Sequence, residues 1–245
     1  MKRYKKIFRI MALVLMLALF VTGCGKDFDA SGYTQALLDL TFQGDTSRAR
    51  TYMEDATENS LMRQYQQSID NFVAANITNE IEMNETKTAQ FADLVSKIFA
   101  TMRYDVGKAE KTGKREYEVP VSIQPSDVFV NFQQSLSQDS IKITQKIKEG
   151  GYEGTTEEVT QQVLNDIVNH AYELLDAAYQ DTAYGEEETV ILHVQADKNH
   201  EYSVDAVSYT HLDVYKRQLI TSCADVPDVR EIRENPDSIF PWKTI

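Results

Sequence analysis

The spacing of apolar residues switches back and forth between two periods along this chain. That switching limits the fold more than any other feature. From Tyr33 to Met102 the apolar positions recur at helical spacing, three or four residues apart. Asp29 or Ser31 can cap a first helix, with Tyr33, Ala36, Leu37 and Leu40 on one face and Gly44 to stop it. Asp45 can cap a short second helix reaching Tyr52 and Met53. A third, over about 58–78, aligns Leu61, Tyr65, Ile69, Phe72, Val73 and Ile77. A fourth, over about 87–102, aligns Phe91, Leu94, Val95, Ile98 and Phe99.

The period then drops to two. Met102, Tyr104 and Val106 alternate, and so do Tyr117, Val119, Val121 and Ile123, with Lys111–Lys114 to turn the chain between them. This predicts a β-hairpin. Pro120 lacks an N–H, so its strand is expected at an edge or bulged there. Two helices follow. Ser126 can cap the first, which Gly150 and Gly151 end. The second opens with the capping box Thr155/Glu158 and carries the stripe Val159, Val163, Leu164, Ile167, Val168, Ala171, Leu174, Leu175 and Ala178, with Gly185 to close it. A second hairpin, 189–194 with 202–204, ends the pattern. Strands separated by helices could run parallel, but the short hairpins favour an antiparallel sheet. The expected class is α+β: a sheet of about four strands in two hairpins, packed against several helices in a cone-like layout. No internal repeat or low-complexity linker divides 31–205, which reads as a single domain.

The N-terminus predicts where that domain resides. Residues 2–9 are basic, and residues 10–21 form an unbroken run of 12 apolar residues, shorter than the ~20 needed to span a bilayer. A charged start, a short apolar core and small residues after it describe a secretory signal. Val21-Thr22-Gly23-Cys24 resembles a bacterial lipobox. The resemblance implies cleavage between Gly23 and Cys24 and diacylation of the Cys24 thiol, with 24–30 as a tether to an extracytoplasmic body. Membrane lipid is then the one partner the sequence specifies.

Charge sharpens this. The whole chain carries −13, but the signal region holds five basic residues and no acid. Residues 24–205 hold 15 basic and 32 acidic residues, a net −17. Such a body is a poor match for nucleic acid, which needs a positive face.

Residues 206–218, AVSYTHLDVYKRQ, can be back-translated into DNA that is its own reverse complement from its second base. That DNA resembles two Tn5 transposase mosaic ends joined head to head, a sequencing-library junction. Such a junction is excluded from fold reasoning. The tail 219–245, with the only Trp and three of the five prolines, is read as foreign.

Chemistry is sparse. The chain contains no HExxH, GxSxG, Walker loop or GxGxxG. With Cys24 acylated and Cys223 in the tail, no thiol nucleophile remains. His170, with Glu173 one turn on, is read as structural rather than as a metal ligand, and His193 as solvated. The layout and the opening Asp29-Ala30-Ser31-Gly32-Tyr33, with Leu37-Leu38-Asp39 and Gly44-Asp45, resemble small surface lipoproteins of Gram-positive-type bacteria. Their domains take nuclear-transport-factor-2-like or cystatin-like cone folds. That resemblance implies a pocket, which Tyr172 and Tyr179, seven apart on the long helix, are placed to line. The expectation is a non-catalytic, lipid-anchored surface protein with no cofactor and no metal, which binds an unidentified small molecule, peptide or envelope partner. The alternatives are an envelope hydrolase using paired carboxylates and, last, a transporter's solute-binding lipoprotein.

Overall fold

The computed structural model describes residues 28–53, 56–77, 83–198 and 201–204. The signal region with Gly23 and Cys24, the first part of the tether, the 206–218 junction and the 219–245 tail lie outside the described residues. The class is α+β, with an antiparallel sheet, as the alternating periods predict. The described chain forms two compact units where the sequence reading had one domain. One holds the sheet and the N-terminal helices, and the other is a helical pair within 127–183. That pair is joined by a short loop, so the two helices find their packing partners in each other.

In the sheet unit, helix α1 (Ala30–Leu38) passes into a π-turn at Asp39–Gln43, which Gly44 ends. Gly44 has φ +66°, the left-handed conformation that favours glycine at a helix C-terminus. Helix α2 (Thr46–Tyr52) starts at Asp45, whose carboxylate accepts the Ser47 N–H at 2.8 Å. Helices α3 (Glu58–Asn76) and α4 (Glu85–Ala100) are capped by Thr57 and Asn84. Their stripes, Leu61, Ile69 and Val73 on α3 with Phe91, Val95 and Ile98 on α4, are buried.

The sheet follows. Strands β1 (Arg103–Val106), β2 (Glu110–Gly113) and β3 (Glu116–Gln124) precede the helical pair, and β4 (Glu188–Ala196) and β5 (Tyr202–Val204) come after it. The order is β1-β3-β4-β5, with β2 also on β3, and every pairing is antiparallel. β3 and β4 pair along eight positions, from Glu116↔Gln195 to Ile123↔Glu188. Period two decides the faces. Tyr117, Val119, Val121, Leu192 and Val194 are buried, while Glu118 lies opposite His193 on the other face. Leu38, Val121, Ile123 and Leu192 form a core, with Phe42, Tyr104, Val106, Val190 and Val204 packed against it.

Residues 111–113, expected within the turn, belong to strand β2, and the turn falls at Lys114–Arg115. Three further expectations need correction. Pro120 is not on an edge strand, because β3 lies between β1/β2 and β4. The carbonyl of Pro120 accepts from Gly107, so its missing N–H belongs to the same side. There the neighbouring strand is interrupted between β1 and β2, at 107–109. The missing donor is thus accommodated by breaking the partner. Second, helix α5 (Val128–Lys148) begins with Asp127 at the cap position rather than Ser126. Ser126 instead forms an antiparallel bridge with Tyr184. Third, helix α6 (Thr156–Gln180) ends well before Gly185, whose N–H bonds the Pro125 carbonyl. The capping box at its start is present: Thr155 N–H donates to Glu158 at 2.7 Å, and Glu158 N–H donates back. In the helical unit, Ile143 and Ile147 of α5 pack with Val159 and Val163 of α6.

The break between β1 and β2 is bridged by one side chain. Ser31 Oγ donates to the Gly107 carbonyl (2.9 Å) and accepts from the Ala109 N–H (2.8 Å). Ser31→Ala leaves both half-buried backbone groups without that partner and should cost about 1–2 kcal/mol. Denaturant unfolding checks it; an unchanged midpoint would show that the bridge carries no stability.

Candidate functional site

Tyr172 and Tyr179 lie on α6, two turns apart and half-buried. The structure gathers a different aromatic set, in the sheet unit. Phe28 stacks on Tyr202, with ring centres 3.6 Å apart and planes within 2°. Tyr33 and Tyr52 meet edge to face at 5.8 Å, and Phe28 touches both. Tyr117 completes the set, 6.0 Å from Phe28 and 6.2 Å from Tyr202. Contacts of this geometry add to the stabilisation from burial alone.

The local sequence explains the assembly. Asp29 caps α1 by accepting the Gly32 N–H at 2.8 Å, and its other oxygen accepts the Tyr52 hydroxyl at 3.2 Å. Gly32 is required by this approach, since a Cβ there would collide with the Tyr52 hydroxyl and the Asp29 carboxylate. Tyr33 is fully buried, and its hydroxyl donates to the Tyr202 carbonyl at 3.1 Å. The stretch 24–30, expected to be a free tether, therefore ends sooner. Phe28 is stacked, Asp29 is a cap, and Ala30 is buried in α1.

These phenols stay protonated. Burial pushes Tyr33 well above its usual range, and burial followed by the Asp29 charge pushes Tyr52 up to about 12. Burial also raises Tyr202. The shifts favour the protonated, hydrogen-bond-donating form of Tyr33, Tyr52 and Tyr202.

A second polar cluster centres on Asp39, which is 6 % exposed. Its Oδ1 accepts from the Tyr104 hydroxyl (2.8 Å) and the Gln35 amide (2.6 Å), and its Oδ2 faces Arg48 Nε at 3.4 Å. Burial, then the Asp39 bond, raises Tyr104 far above its ordinary value. Three donors around one carboxylate offset its removal from water.

The helical unit has its own network. Asp166 Oδ2 accepts from Lys146 Nζ (2.9 Å) and the Tyr152 hydroxyl (2.8 Å), and the Lys146 ammonium sits 4.1 Å from the Tyr152 ring centre. His170 Nδ1 lies 2.9 Å from Asp139 Oδ2, tying α6 to α5. His193 lies 3.7 Å from Glu118 across the sheet, half-exposed. Among the described residues, no three His, Cys, Asp or Glu side chains are grouped to hold a metal ion.

No protein-family model and no curated protein matches the chain. Among solved structures, a Bacillus subtilis protein described as a candidate lipoprotein is similar, at 13 % identity and a TM-score of 0.45. The match covers 77 % of this chain and 55 % of that one, so this chain spans about half that protein's length.

Sequence reasoning missed the aromatic set because its members are remote in the chain. The partners Tyr33 and Tyr202 are 169 residues apart. The one local signal was Asp29-Ala30-Ser31-Gly32-Tyr33, in which each of the five residues now has a structural task.

The Asp166 network carries a pH dependence. Burial works against ionisation of Asp166, but the bonds from Lys146 and Tyr152 outweigh it and hold the carboxyl below its usual value. Its contribution is therefore complete above the unfolded pKa of about 3.9 and is lost as pH falls through the lower folded value. Asp166→Asn should flatten the acid limb of the stability–pH curve below about pH 4, read by thermal melts across pH. An unchanged acid limb would contradict the assignment.

Proposed function

We propose that this is a lipid-anchored extracytoplasmic protein, held at the membrane by diacylglycerol on Cys24. It is non-catalytic and presents an acidic domain to a small molecule, peptide or envelope partner. The observation that carries the reading is the lipobox-like Val21-Thr22-Gly23-Cys24 after a short apolar run, four residues before Phe28 in the chain. Four residues span at most ~14 Å, so an acylated Cys24 would hold the body against the bilayer surface. Two acyl chains are enough for stable attachment. No described helix is long and apolar enough to cross a membrane.

Support for the non-catalytic part comes from what the polar groups already do. The Asp39 and Asp166 carboxylates are each engaged by donors, and the clustered phenols are kept neutral. The likeness to nuclear-transport-factor-2-like or cystatin-like domains belongs to this proposal, with the helix α1 packed on β1 and β3 as its support. So does the exclusion of 206–245 as a library junction and foreign tail.

Cys24→Ala tests the anchor. The unchanged protein should incorporate labelled palmitate and stay with membranes. The variant should take up none and be released. A variant that stays as firmly attached would overturn the reading.

A further inference from the structure

We draw no further inference here: the strongest candidate, the row of Glu110, Glu118 and His193 across strands β2, β3 and β4 on the sheet face opposite the core, is an acidic pair beside one histidine that forms no metal-holding group among the described residues, with no second observation that points to a ligand there.

Discussion

The sheet unit depends on the stack of Phe28 on Tyr202. One ring lies just ahead of the first helix, and the other is in the last described strand. Their contact, with the buried Tyr33 hydroxyl on the Tyr202 carbonyl, ties the two ends of the unit together. Among the described residues, β5 is three residues long and pairs with β4. Side-chain contacts add to the few ladder bonds of its described residues. The aromatic set supplies them. It also ties Phe28, ahead of the first described helix, into the unit.

Much of the architecture was legible because it is written in local periodicity. The helical stripes of α3 and α4, the alternation in β3 and β4, and the caps at Asp45 and Thr155 all appear at the predicted places. The misreadings arise where a residue's role is set by a distant segment. Pro120 argued for an edge strand, and the sequence could not show that its partner breaks opposite it and is bridged by Ser31, about 78 residues before Ala109. Ser126 looked like a cap, but Tyr184 recruits it into a bridge. Tyr172 and Tyr179 drew attention by their helical spacing. The tyrosines that cluster, Tyr33, Tyr52, Tyr117 and Tyr202, come from four separate elements that no periodicity relates.

The polar groups follow one rule in both units. Asp39 and Asp166 are each surrounded by donors: Asp39 by Tyr104, Gln35 and Arg48, and Asp166 by Lys146 and Tyr152. These clusters brace α1 against β1 in one unit and α5 against α6 in the other. Most of the other described acids are exposed.

The central claim is that the stack and the Tyr202 contacts couple the beginning of the folded chain to its last strand. A double-mutant cycle on Phe28→Ala and Tyr202→Ala, read by denaturant unfolding, measures that coupling directly. The account predicts that the two losses are not additive, with a coupling energy of about 0.5–1.5 kcal/mol. Additive losses would mean that the rings are neighbours without holding the unit together, and would contradict it.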